Sequence, residues 1–79
     1  MVLTLLARGY CHLCHDMQAG LEPLARAFGA EVEIVDVDAD PALEARYGEL
    51  VPVLLHGNRE LCHYFLDEPA VRAYLEGSL

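Results

Sequence analysis

Apolar residues group near the start of the chain, with Val2, Leu3, Leu5 and Leu6 interrupted only by Thr4. A short run of this kind reads as a buried strand, and Arg8-Gly9-Tyr10 as the turn that follows it. From His12 to about Phe28 the apolar positions are Leu13, Met17, Leu21, Leu24 and Phe28, spaced by four, four, three and four. That spacing draws one helical stripe, weakened by Gly20 and by Pro23, which should kink it, and stopped at Gly29. Glu31 to Val37 alternates Val32, Ile34 and Asp36 against Glu31, Glu33, Val35 and Val37, as a strand does. Asp40-Pro41 fits an N-cap followed by a first helical residue, with Leu43 to Tyr47 as a short helix closed by Gly48. Val51 to Leu55 reads as a strand carrying Pro52 near its start, Gly57-Asn58 as a two-residue turn, and Arg59 to His63 as the returning strand. Asp67 then caps a last helix with Pro69 in its first turn and Val71, Tyr74 and Leu75 on its buried side. The order is βαβαββα. The right-handed crossover rule makes the first two strands parallel and the final hairpin antiparallel, so the expected class is α/β with a four-stranded mixed sheet flanked by helices.

With 79 residues, 54% of them hydrophobic, the chain is expected to be one small domain, residues 1–79, able to bury a core. No apolar run approaches the roughly 18 residues that a membrane helix needs. Met1 to Leu6 lacks a basic flank and a cleavage site, which favours a first strand over a leader and a cytoplasmic location. A formal net charge of −8 argues against nucleic acid and anionic membrane as partners. Three cysteines, two of them close together, make a poor secreted disulfide framework.

Two of those cysteines carry the candidate chemistry. Cys11-His12-Leu13-Cys14 stands directly after the first strand and at the head of the first helix. Backbone N–H groups at a helix N-terminus favour an anion, and the thiolate is the nucleophile in thiol–disulfide exchange. Cys11, the more N-terminal sulfur, is the expected attacking group. A Cys-x-x-Cys opening the helix of a βαβ unit, an acidic stretch Asp36-Val37-Asp38-Ala39-Asp40-Pro41 before the second helix, and Val51-Pro52 before a hairpin together resemble the thioredoxin superfamily. The nearer likeness is to small bacterial glutaredoxin-like proteins, and it covers almost the whole chain. The resemblance implies a thioredoxin-like fold and a thiol–disulfide oxidoreductase serving cell redox homeostasis. It makes Cys11 and Cys14 the catalytic pair, Cys14 being the buried resolving thiol. It places Pro52 after a cis peptide bond, with the Val51 backbone free to pair with a substrate, and it sets Arg8 where glutaredoxins carry a cation for a glutathione carboxylate. Tyr10 and His12, on either side of Cys11, are further substrate-binding candidates. A disulfide-containing protein or a glutathione mixed disulfide is the implied partner, with glutathione as cosubstrate and no tightly bound cofactor.

Some residues depart from that pattern. Where glutaredoxins have Gly-Gly for the γ-glutamyl end of glutathione, this chain has Cys62-His63, with Asp67 as the nearest acid. His12-Leu13 replaces the usual Pro-Tyr between the cysteines. Cys62 alone reads as a small buried hydrophobe, with a regulatory or glutathionylation role as the alternative. Cys11-His12-Leu13-Cys14-His15 also satisfies a c-type haem attachment pattern, with His15 as axial ligand, but that reading needs export and a largely helical chain, and the strand pattern opposes both. A zinc site drawn from Cys11, Cys14, His15, Cys62 and His63 lacks the usual ligand spacing, so no metal ligand is assigned. Asp36, Asp38 and Asp40 read as a cap and a solvated loop rather than a calcium site. Two readings of other classes stay open beside the oxidoreductase: a non-catalytic binding module of the same fold, and a metal-binding protein using the same cysteines.

Overall fold

Strand β1 (Val2–Ala7) is buried on both faces, and the rest of the molecule is arranged around it. The structure is a computed structural model describing residues 1–78. After β1 come α1 (His12–Ala27), β2 (Glu31–Asp36), a 3-10 turn (Val37–Ala39), α2 (Pro41–Tyr47), β3 (Val53–His56), β4 (Arg59–His63) and α3 (Glu68–Gly77). The four strands lie in the order β2-β1-β3-β4. β1 runs parallel to β2 and antiparallel to β3, and β4 returns antiparallel to β3.

Successive strand residues face opposite sides of the sheet, and the core divides accordingly. On one side Leu3, Leu5 and Leu54 meet Met17, Leu21 and Leu24 of α1 and Val71 and Leu75 of α3. On the other, Leu6, Val53 and Leu55 meet Val37 and Tyr47. Each buried leucine contributes about 1.5–3 kcal/mol by leaving water, so the larger cluster fixes α1, and with it the dithiol, against the sheet. α1 continues through Pro23, which lies on its exposed side, so the buried stripe is uninterrupted. The helix is closed by Phe28 and by Gly29 at φ 68°, with the Ala30 N–H donating to the Ala25 carbonyl at 2.8 Å.

The boundaries differ from the sequence reading in a few places, each with a local cause. β2 stops at Asp36 because that side chain accepts the Asp38 N–H at 2.9 Å and bends the chain; Val37 is instead fully buried at the start of the 3-10 turn. β3 begins at Val53 rather than Val51, since Pro52 has no N–H to give a ladder, and it extends one residue further to His56. α1 ends at Ala27, with Phe28 as its cap. α2 starts at Pro41, two residues ahead of Leu43, because Asp40 caps it by accepting the N–H groups of Ala42 and Leu43 at 2.9 and 3.4 Å. An irregularity between Leu54 and Leu55 sets Leu54 opposite Cys62 and Leu55 opposite Glu60, so Leu61 and Cys62 both touch the larger core. Tyr74 is only half-buried; its hydroxyl shares a hydrogen bond with His56 Nδ1. β2, an outer strand, leaves Glu31, Glu33 and Ile34 exposed.

Candidate active site

Leaving β1, the chain crosses Arg8 and Gly9 and turns at Tyr10, whose φ of 61° is left-handed, into α1. Cys11 is the N-cap of that helix. Its extended backbone (φ −107°, ψ 106°) swings Sγ back over the first turn, where it accepts the Cys14 N–H at 3.1 Å. A sulfur therefore occupies the place usually taken by a serine or aspartate oxygen, against the positive end of the helix dipole. No acidic side chain stands in the first turn to compete with it. Cys11 and Cys14 are joined as a disulfide, with Cα atoms 5.2 Å apart. Cys11 is partly exposed, whereas Cys14 is 4% exposed and faces the interior. The two sulfurs thus have unequal access to solvent, as an attacking and a resolving thiol require.

Pairing of Leu6 with Val53 carries the cis Val51–Pro52 bond to the end of β1 from which the dithiol turn departs. Val51 packs on the smaller core, and the Pro52 carbonyl accepts the Tyr64 N–H at 2.9 Å. Val51 and Pro52 lie outside the strand ladder. His12 is almost fully exposed and contacts Asp16 at 3.4 Å. Tyr10 is fully exposed.

Arg8 is turned toward the second helix. Its Nη2 lies 3.5 Å from Asp38 Oδ1 and 3.6 Å from Glu44 Oε1, ion-pair distances too long for hydrogen bonds, so Nε and Nη2 are buried without a hydrogen-bond partner. Gly48 is packed against this group, since a Cβ there would come within 2.9 Å of Arg8 Nη2 and 2.7 Å of Glu44 Oε1. Arg8 also lines a cleft of 250 Å³ beside Cys14, together with His15, Gln18, Ile34 and Asp36. Cys62 stands on β4 opposite Leu54, half-buried and outside the disulfide. Burial pushes its thiol up from the ordinary value; the Asp67 N–H opposes this, and the charges of Asp67 and Glu60 add to it. Such a thiol is a poor nucleophile near neutrality. Among the described residues no group of three or more His, Cys, Asp or Glu side chains is placed to hold a metal ion.

The sequence reading missed a second cleft, of 280 Å³, between α1 and the connection from β4 to α3. Leu13, Met17, Tyr64, Phe65 and Leu66 line it, with Asp16 at its side. The available signal was the pair Tyr64-Phe65 just after a strand, too short a pattern to separate a surface bend from core.

The glutaredoxin-like domain family (DUF836) matches residues 2–76. Protein Ne2328 from Nitrosomonas europaea is 39% identical, with a TM-score of 0.80 over 91% of this chain and 87% of its own. Protein XcR50 from X. campestris is 42% identical, with a TM-score of 0.74 over 95% of this chain and 96% of its own. At lower identity the fold alone is shared with thioredoxin 1 from Thermosipho africanus (22%, TM-score 0.65, 99% and 98% covered) and with the glutaredoxin-like NrdH-redoxin from Escherichia coli (24%, TM-score 0.59, 91% and 93% covered). The architecture, the dithiol at the head of α1 and the family match over nearly the whole chain agree: this chain belongs to the glutaredoxin-like domain family and has a thioredoxin-like α/β fold.

Proposed function

We propose that the protein is a thiol–disulfide oxidoreductase using Cys11 as nucleophile and Cys14 as resolving thiol. The observation that carries this reading is the Cys11 sulfur at the N-cap of α1, accepting a backbone N–H, with Cys14 buried behind it. In the reduced protein, a Cys11 thiolate at that place is favoured by the helix dipole. It attacks one sulfur of a substrate disulfide; the substrate S–S bond breaks, and a mixed disulfide forms as one substrate thiolate leaves. Cys14, having lost its proton to water, then attacks the Cys11 sulfur and releases the second substrate thiolate. Two electrons pass to the substrate, two substrate thiolates take up protons, and the Cys11–Cys14 bond forms. A thiol or dithiol donor must reduce that bond before the next cycle. The Val51 backbone, outside the ladder and beside the dithiol turn, offers main-chain groups to an extended substrate segment, a mode of contact that reads little side-chain identity. No described helix is long and apolar enough to cross a membrane, and a reducing compartment such as the cytoplasm is the setting in which the cycle would run.

Trapping tests the assignment. With a disulfide-bonded peptide, Cys14→Ser should accumulate a covalent complex through Cys11, cleared by dithiothreitol, and Cys11→Ser should accumulate none. Absence of a complex with Cys14→Ser would overturn the oxidoreductase reading and leave the dithiol without an exchange role.

A further inference from the structure

We propose that the cleft between α1 and the β4–α3 connection is the docking pocket for one apolar side chain of a polypeptide disulfide substrate, flanked in that substrate by a basic residue. This inference rests on the oxidoreductase reading and names its substrate class. Among the described residues, the exposed large aromatic side chains are Tyr10, Tyr64 and Phe65. All three stand at the dithiol end of the molecule: Tyr10 precedes Cys11, the Tyr64 N–H is bonded to the Pro52 carbonyl, and Phe65 is the next residue. Tyr10 and Tyr64 are also the non-glycine residues with positive φ, at 61° and 62°. Bulky residues keep that backbone form only when the surroundings impose it, and such positions cluster at functional sites. The bend at Tyr64 is held at three points: its own N–H on Pro52, its hydroxyl donating to the Glu49 carbonyl at 3.0 Å, and the Phe65 N–H donating to the His63 carbonyl at 2.7 Å. The result sets Phe65, 70% exposed, at the lip of an apolar cleft.

Size and charge identify the occupant. At 280 Å³ the cleft falls below the range of about 300–1,000 Å³ typical of small-molecule sites and suits one side chain. Leu13, between the two cysteines, forms part of its wall, so a segment joined to Cys11 passes over it. Asp16 is the charged residue in the lining. Asp67, whose carboxylate caps α3, follows Leu66 directly and is the next acid along the chain. The cations are engaged or distant: Arg8 on Asp38 and Glu44, Arg46 over the Tyr47 ring, Arg59 over Tyr74, Arg72 on Glu68, and Arg26 in the last turn of α1. Nothing in the cleft answers the two carboxylates of glutathione, whereas a lysine or arginine beside the docked apolar residue would meet the acidic rim. The excess of acids over bases across the chain draws the same partner from a distance.

The test compares disulfides in one assay with dithiothreitol as donor. The substrates are 2-hydroxyethyl disulfide, a peptide carrying Leu-Lys next to its disulfide cysteine, the same peptide with Gly-Glu, and the glutathione mixed disulfide of the first peptide. The Leu-Lys peptide should be reduced with a kcat/KM about tenfold above the Gly-Glu peptide and the glutathione adduct, a margin expected for one buried apolar side chain, and salt should narrow it. In Phe65→Ala the ratio of the Leu-Lys peptide to 2-hydroxyethyl disulfide should fall about tenfold through KM, with Phe65→Leu restoring most of it. Equal use of the three peptide substrates, or an unchanged ratio in Phe65→Ala, overturns the docking pocket while leaving the oxidoreductase intact. Failure to reduce any of the four disulfides overturns both.

Discussion

Three cysteines in one short chain are given three different environments by their neighbours. Cys11 caps a helix, Cys14 is buried one turn along, and Cys62 sits in a strand where desolvation disfavours its charge. The raised value at Cys62 has a testable sign. A thiol that ionises later in the folded chain than in the unfolded chain contributes stability fully present below the unfolded value of about 8.5, and lost as pH rises toward the folded value. Unfolding midpoints in urea should therefore fall above about pH 8.5, and Cys62→Ala should flatten that fall, whatever it costs at neutral pH. The Cys-x-x-Cys spacing and Val51-Pro52 were legible in the sequence because each is a compact local pattern. Tyr64 was not: its left-handed bend is imposed by Pro52 and Glu49, residues that only the folded sheet brings near it.

At the scale of elements, legibility followed the range of the forces involved. The caps at Asp40 and Asp67 act within three residues, and both were readable from the chain. The strand ends turned on single groups that apolar alternation does not weigh: the Asp36 carboxylate bends the chain so that Val37 enters a 3-10 turn, and β3 begins only after Pro52, which has no N–H to give. Ile34 marks a further limit: its place in the alternation is that of an inward residue, yet it borders the open cleft beside His15 and Gln18 of α1 and remains exposed. Asp40 offers the clearest measurement. α2 has 7 residues, too few to persist without its cap, and Asp40 accepts two of its free N–H groups. Asp40→Ala should lower global stability by about 1 kcal/mol, read as a shift in the urea midpoint at constant m, and Asp40→Ser should recover most of it.

Across the whole molecule the dominant feature is charge. Thirteen acids face five arginines, and the described core contains no buried polar or charged side chain. Acids therefore crowd the surface, and self-repulsion there opposes compactness. Raising salt from about 0.01 M to 0.15 M shortens the Debye length from about 30 Å to about 8 Å, against a largest molecular dimension of 34 Å. The melting temperature should rise over that interval; a fall would show that the ion pairs around Arg8 outweigh the general repulsion.

The glutamates of β2 have a bearing on solitude as well. A sheet border with unmet amides and carbonyls invites a sibling chain to lengthen it, yet here a sibling's β2 would stack carboxylate on carboxylate at Glu31 and Glu33. That margin is closed to its own kind by charge, and extension there by a like strand is penalised before any backbone bond can form.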